Sequence, residues 1–124
     1  NDAQALKAMN EAESFNGPSL IIAYSHCISH GYDIGKLGLE HQQMAVKSGL
    51  WPLYRFDPRL KAEGKNPFQL DSKPSMPVAD FMATETRFKF VKQQNPEHYE
   101  ELLKQAQAQV DERWAFYTKL AESK

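Results

Sequence analysis

Cys27 is the single cysteine of the chain, and it lies between two histidines, His26 and His30. Thiolate and imidazole both bind zinc, and a cysteine beside a histidine base can act as a nucleophile. The spacing supports neither role well, because adjacent side chains diverge and a closed zinc site takes four ligands. His41 and His98 have no evident reason to converge on this segment. No orienting Asp or Asn and no oxyanion donors stand at a recognisable spacing.

A buried cysteine is the plainer interpretation of the residue type, because a free thiol behaves as a small apolar side chain and often lies in a core. The position of Cys27 argues for a functional role instead. It follows shortly after residues 20–23, the most hydrophobic run in the chain. Ligands and reactive groups in open α/β sheets gather outside the carboxyl ends of the strands. Both interpretations stay open at this point, and Cys27 is the leading candidate site residue.

Other candidate groups carry less chemistry. The sequence has no glycine-rich phosphate-binding loop, and residues 33–35 do not form one. Three acidic residues, Glu97, Glu100 and Glu101, fall at the start of a predicted helix, where they complement its dipole. We therefore expect a solvated helix face there rather than acid–base catalysis.

The hydrophobic run predicts a β-strand at residues 19–24. Apolar side chains on consecutive positions need cover on both faces, which is typical of strands in parallel sheets. A parallel neighbour must arrive through a crossover connection, and the sequence contains no earlier strand to begin one. The missing partner indicates that the chain is a fragment. The test of this hypothesis is whether residues 20–23 pair with a parallel strand of the same chain.

Capping residues and apolar periodicity predict a helix on each side of this strand. Asn1 or Asp2 opens the first helix, which residues 16–18 close, and Asp33 opens the second, which ends at residues 47–49. Residues 51–57 predict a further strand, at an edge because a proline stands near its start. The pattern as a whole indicates the α/β class.

The second half of the chain changes character. Residues 58–77 contain four prolines and one glycine, and they predict a long ordered loop with a short extended piece at residues 67–70. Beyond the loop, apolar residues spaced by three and four predict two helices of about 14 and 26 residues, the second capped by Asn95. The predicted organisation is an α/β part at residues 1–57, the proline-rich loop at residues 58–77 and a helical segment at residues 78–124.

Composition limits the class of protein. With 124 residues, 41% of them hydrophobic and 25% charged, the chain suits one domain. A formal net charge of -1 offers no basic surface for nucleic acid. One cysteine cannot form an internal disulfide framework, and no apolar run reaches the roughly 20 residues of a membrane helix. The first residues do not resemble a signal peptide. We expect a cytoplasmic protein with no nucleic-acid and no membrane partner.

Several longer strings of sequence resemble one known family. They are residues 17–24 running on to Cys27, residues 45–49, 51–55 and 57–60, and above all residues 66–73. In these strings the chain is similar to the pyruvate:ferredoxin (flavodoxin) oxidoreductases. The resemblance covers nearly the whole chain, with the last helix matched by pattern more than by motif. It implies a fragment of a large multidomain enzyme, comprising the second half of a thiamine diphosphate-binding fold and a C-terminal helical segment.

The resemblance also implies an activity, cofactors and partners. It implies oxidative decarboxylation of pyruvate to acetyl-CoA with thiamine diphosphate and magnesium, and transfer of the electrons through [4Fe-4S] clusters. The implied partners are the other domains of the parent chain, ferredoxin or flavodoxin as electron carrier, pyruvate and coenzyme A. A homodimer is implied for the parent enzyme.

Cys27 occupies the position of the family cysteine that ligates the iron-sulfur cluster nearest the thiamine. The resemblance therefore implies that Cys27 binds iron of a [4Fe-4S] cluster in the full-length enzyme. We expect the isolated fragment to be catalytically inert and to bind neither thiamine diphosphate nor a stable cluster. An alternative from a different class is a small interaction module that uses the helix around Trp114 as a partner surface.

Overall fold

The computed structural model describes residues 1–123, which form six helices and a two-stranded sheet. The helices are α1 (Asp2–Ser14), α2 (Ile34–Lys47), α3 (Arg59–Ala62), α4 (Val78–Met82), α5 (Thr86–Gln94) and α6 (Pro96–Glu122). The strands are β1 (Tyr54–Phe56) and β2 (Phe68–Leu70). A 3-10 turn, Ile28–His30, lies between α1 and α2.

The helix starts that the caps predict are confirmed. Asn1, Asp33 and Asn95 each accept a hydrogen bond on the side chain from the backbone amide three residues on, at 3.4, 3.2 and 3.1 Å. Each bond satisfies an amide that has no partner inside its helix. The two predicted helices of the first half and the long C-terminal helix are therefore present as α1, α2 and α6.

The strand predicted at residues 19–24 does not form within residues 1–123, and the lack of a parallel neighbour there agrees with the hypothesis that the chain is a fragment. The segment is extended, but within residues 1–123 it pairs with no other strand. Leu20 is 84% exposed and Ile22 67% exposed. A strand needs a neighbour for its backbone amides and carbonyls, and hydrophobicity along one segment cannot supply that neighbour.

The sheet forms elsewhere, and it is antiparallel. Strand β1 pairs with β2 in the register Tyr54↔Leu70, Arg55↔Gln69 and Phe56↔Phe68. The extended piece predicted at residues 67–70 is confirmed as β2, and the strand predicted at residues 51–57 shortens to β1. The mixed α/β class with a C-terminal helical segment is confirmed, and the division into three parts at residues 57 and 77 stays a prediction.

The helical segment begins with two short helices where one was predicted. Helix α4 ends before Ala83, and Glu85 adopts extended backbone angles, φ -100° and ψ 131°, before α5 begins. The apolar periodicity continues across this break, which is why the sequence alone joins the two helices. The break places the side chain of Glu85 in the interior, as described below.

The core lies where α2, α4 and α6 meet. It contains Ala45 from α2, Val78 and Phe81 from α4, and Val110 and Trp114 from α6. The Trp114 indole donates a hydrogen bond of 2.9 Å to the Gly49 carbonyl, just after α2. Burial of these side chains and this bond fix α6 against α2. Helix α2 follows residues 27–31, called the Cys27 segment below.

A three-way ion pair ties α1 to the sheet. Arg55 on β1 donates to Asp71 through Nε at 2.6 Å and through Nη2 at 2.8 Å, and its Nη1 lies 2.5 Å from Glu11 on α1. Gln4 of α1 donates to the same Asp71 carboxylate at 3.1 Å. In residues 1–123, no helix is both long and apolar enough to cross a bilayer.

Candidate functional site

Cys27 is an exposed free thiol at the start of the 3-10 turn. Its backbone is extended, and its carbonyl accepts a hydrogen bond of 3.1 Å from the His30 amide. The Gly31 amide donates to the Ile28 carbonyl at 2.9 Å, which closes the turn. The interpretation of Cys27 as a buried apolar residue is therefore wrong, because the turn carries the thiol on the outside of the molecule.

The surroundings of Cys27 favour the thiolate. The hydroxyl of Ser29, and then its backbone amide, hydrogen-bond the sulfur and lower the pKa of the Cys27 thiol below its ordinary value. A thiolate, and not a thiol, is the nucleophile and the metal ligand. The thiol of Cys27 is thus exposed, and its surroundings favour the thiolate form.

A self-contained metal or nucleophile site is not assembled around Cys27. Across residues 1–123, no three His, Cys, Asp or Glu side chains are placed to share a metal ion. The His30 ring faces a carboxylate instead of serving the thiol, because its Nδ1 lies 3.5 Å from Glu85 Oε1. Within the described residues, Cys27 therefore offers the chemistry of a single exposed sulfur at this turn.

The carboxylate of Glu85 lies in the interior beneath the Cys27 segment. Its side chain is 0% exposed, and its Oε1 lies 2.9 Å from Nε2 of His41, which is 1% exposed. Its Oε2 contacts Nε of Arg87. Neither Oε1 nor either nitrogen of His41 has a hydrogen bond of good geometry within the described residues. Buried polar atoms left in this state are uncommon and call for an explanation.

Aromatic rings enclose this polar group. The Tyr32 ring lies over the His41 imidazole with ring centroids 3.8 Å apart, and the Phe81 ring meets His41 edge-on at 4.6 Å. Burial lowers the pKa of His41, and the negative charge of Glu85 offsets that effect only in part. Burial and the charge of Glu85 raise the pKa of Tyr32. Both shifts favour the neutral forms of the His41 imidazole and the Tyr32 phenol beside Glu85.

Sequence reasoning missed Glu85. It also gave His41 no reason to approach residues 26–30, yet His30 and His41 both face the same carboxylate oxygen. The acidic residues that it did weigh, Glu97, Glu100 and Glu101, are exposed as expected. The one usable signal was His41 on the apolar face of its predicted helix, because a buried imidazole calls for a polar partner from another element.

Comparisons with known proteins place this chain in a family, although no family model matches it. The pyruvate-flavodoxin oxidoreductase of Rhodospirillum rubrum is 50% identical over 122 residues, which are 98% of this chain and 10% of that protein. The enzyme of the same name from Nostoc sp. is 51% identical over 97% of the chain and 10% of its own length. The pyruvate:ferredoxin oxidoreductase of Moorella thermoacetica is 47% identical, again over 97% of the chain and 10% of its length.

The matches run through all the elements described above, from α1 to α6, and they are not confined to one motif. The chain spans about a tenth of the length of the curated relatives it matches. With close to half of its residues identical over nearly its whole length, the chain belongs to the pyruvate:ferredoxin (flavodoxin) oxidoreductase family, as a fragment.

Proposed function

We propose that the chain is one part of an enzyme that oxidatively decarboxylates pyruvate to acetyl-CoA and passes the electrons through [4Fe-4S] clusters to flavodoxin or ferredoxin. The names of its relatives support this proposal, because they state pyruvate as the substrate and flavodoxin or ferredoxin as the redox partner. In this proposal the whole enzyme, a homodimer, binds thiamine diphosphate, magnesium and coenzyme A.

Within that enzyme, Cys27 is proposed as one thiolate ligand of an iron-sulfur cluster. The observation that carries this role is the exposure of the sulfur at the start of the 3-10 turn. Hydrogen bonding by Ser29 lowers the pKa of the thiol, which suits a ligand that must bind as the anion. A [4Fe-4S] cluster takes about four thiolates, and this sequence contains one cysteine. The other ligands are therefore proposed to come from parts of the enzyme outside this sequence.

In this proposal the residues of the chain orient the sulfur and stabilise its charge. Ser29 stabilises the charge on the sulfur, and the 3-10 turn fixes the backbone from which the sulfur projects. A bound cluster supplies one-electron transfer at that position. The protein contributes orientation and electrostatics, which set the reduction potential of such a group.

The test is Cys27→Ala in the full-length enzyme. We expect lower iron content, an altered low-temperature spectrum of the reduced clusters and slower electron transfer to flavodoxin, with thiamine diphosphate binding retained. Ile28→Ala is the matched control, because Ile28 is an exposed neighbour with no proposed role. Unchanged iron content and an unchanged spectrum in Cys27→Ala would refute the ligand role.

The alternative of an interaction module that uses the helix around Trp114 as a partner surface stays a prediction, but Trp114 itself does not contribute to such a surface. Trp114 is buried against α2 and α4, and its indole is hydrogen-bonded to the Gly49 carbonyl. A side chain that completes the core of its own chain is not available to a partner.

A further inference from the structure

We propose that Glu85 and Thr86, at the start of α5, are positioning residues that clamp the Cys27 segment and thereby set the environment of the group that Cys27 ligates. This inference rests on the proposed role of Cys27 and adds two residues to it. The clamp joins the helical part of the chain to a segment that stands 55 residues earlier in the sequence.

The first contact of the clamp is made by Thr86. Its backbone amide donates to the Gly31 carbonyl at 3.1 Å, and its hydroxyl donates to the same oxygen. Two donors from one residue on one carbonyl fix both the position and the direction of that carbonyl. The Thr86 amide is the first amide of α5. It therefore has no acceptor inside its own helix, and the Gly31 carbonyl supplies one.

The backbone conformation of Gly31 and its lack of a side chain permit this contact. Its φ is +77°, a left-handed conformation that glycine adopts without steric cost. A Cβ on Gly31 would lie 2.6 Å from Cβ of Thr86, closer than real Cβ contacts come. The backbone of the Cys27 segment therefore approaches α5 as closely as it does because residue 31 has no side chain.

The second contact is made by Glu85, whose buried carboxylate faces His30 from the Cys27 segment and His41 from α2. Removing a carboxylate from water costs several kcal/mol unless partners compensate, and Oε1 lacks a well-formed hydrogen bond within the described residues. A group that only filled space here would be apolar. Its placement between His30 of the turn and His41 of α2 indicates that it positions the turn.

The clamp reaches Cys27 through the turn itself. The His30 amide is bonded to the Cys27 carbonyl and the Gly31 amide to the Ile28 carbonyl. A displacement of Gly31 or His30 is therefore transmitted to Cys27 through one turn of backbone.

The experiment compares three variants of the full-length enzyme. Thr86→Val removes the hydroxyl and keeps the branched shape, and Thr86→Ser restores the hydroxyl. Thr84→Val is the matched control, because the Thr84 hydroxyl also donates to a carbonyl, that of Phe81 at 2.7 Å, but this carbonyl belongs to the adjacent helix α4 and not to the Cys27 segment. Thr86 is exposed, so folding should survive the change.

Three measurements separate a clamp from a general effect on stability. They are the low-temperature spectrum of the reduced clusters, the midpoint potential of the cluster assigned to Cys27, and hydrogen exchange of the amides of residues 28–31. We expect Thr86→Val to alter the spectrum, shift the potential and speed the exchange several-fold. Thr86→Ser should return all three toward the wild type, and Thr84→Val should leave all three unchanged.

The outcomes distinguish this inference from the proposed function. If Cys27→Ala changes the spectrum while Thr86→Val matches Thr84→Val in all three measurements, the clamp is wrong and the ligand role stands. If Cys27→Ala leaves the spectrum unchanged, the ligand role is wrong and the inference fails with it. An altered potential in Thr86→Val that Thr86→Ser does not restore would also overturn the clamp.

Discussion

At the scale of single residues, the fold exposes the sulfur of Cys27 and buries the carboxyl group of Glu85. Cys27 is exposed, with its thiol pKa lowered by Ser29, whereas Glu85 is sealed beneath the same turn. The sequence could single out Cys27 because a lone cysteine after a hydrophobic run is visible as a residue type. It could not single out Glu85, because one acidic residue in a helical pattern looks like any solvated one.

The state of the sulfur can be tested through its reactivity. We expect Ser29→Ala to move the pH profile of Cys27 alkylation to higher pH, because the serine hydroxyl is the larger of the two hydrogen bonds that lower the thiol pKa. The measurement is the rate of reaction with iodoacetamide across pH in the 124-residue chain. Its single cysteine makes the signal unambiguous.

Ser25→Ala is the control for this change. The Ser25 hydroxyl donates to the His26 carbonyl and not to the sulfur, so its removal should leave the profile in place. A profile that Ser29→Ala does not shift would mean that Ser29 does not stabilise the thiolate.

At the scale of elements, the sequence predicts where helices start but not which strands pair. The starts of α1, α2 and α6 follow from the side chains of Asn1, Asp33 and Asn95, which act on amides three residues away. The strand predicted at residues 19–24 does not form within residues 1–123 because a strand depends on a partner that local sequence does not contain. The ion pair of Arg55 with Asp71 and Glu11 is likewise a contact between distant segments.

The link between α1 and the sheet predicts an acid-dependent loss of stability. Burial raises the pKa of Asp71, but hydrogen bonds from Arg55 and Gln4 outweigh it and leave the pKa below the ordinary 3.8. Stabilisation by the ionised Asp71 is therefore fully present above pH 3.8 and is lost as the pH falls through the lowered pKa. Asp71→Asn should lower the free energy of unfolding by about 1–3 kcal/mol at neutral pH.

The difference between wild type and Asp71→Asn should shrink as the pH falls below 3.8, because the wild type then loses the same interaction. Denaturant unfolding of the 124-residue chain across that range measures it. Asp80→Asn changes an exposed carboxylate and should stay within about 0.5 kcal/mol of the wild type at neutral pH. A difference for Asp71→Asn that is constant with pH would contradict the assignment.

At the scale of the whole molecule, the chain leaves apolar surface open on the segment that leads to Cys27. Leu20, Ile21 and Ile22 are all exposed, and the chain spans about a tenth of the length of its relatives. Exposed apolar residues in a row are typical of a surface that another part of an assembly covers. We expect other parts of the parent enzyme to cover these residues, and the isolated chain to associate with itself through them.

The double change Leu20→Ser with Ile22→Ser tests this expectation. In the isolated chain it should reduce self-association in sedimentation and leave the free energy of unfolding nearly unchanged, because both side chains are exposed. In the full-length enzyme the same change should be destabilising. Leu39→Ser is the control, because Leu39 is an exposed leucine of α2 outside the segment. A wild-type chain that stays monomeric at high concentration would count against the proposed surface.

The sequence by itself determined the starts of α1, α2 and α6, the α/β character, the family and the residue most suited to chemistry. These features depend on neighbours within a few positions, or on long strings of residues, and both can be read along the chain. The tertiary structure alone decided that Cys27 is exposed, that β1 pairs with β2, and that Glu85 lies between His30 and His41. Burial and pairing depend on which distant segments meet, and local sequence does not encode that meeting.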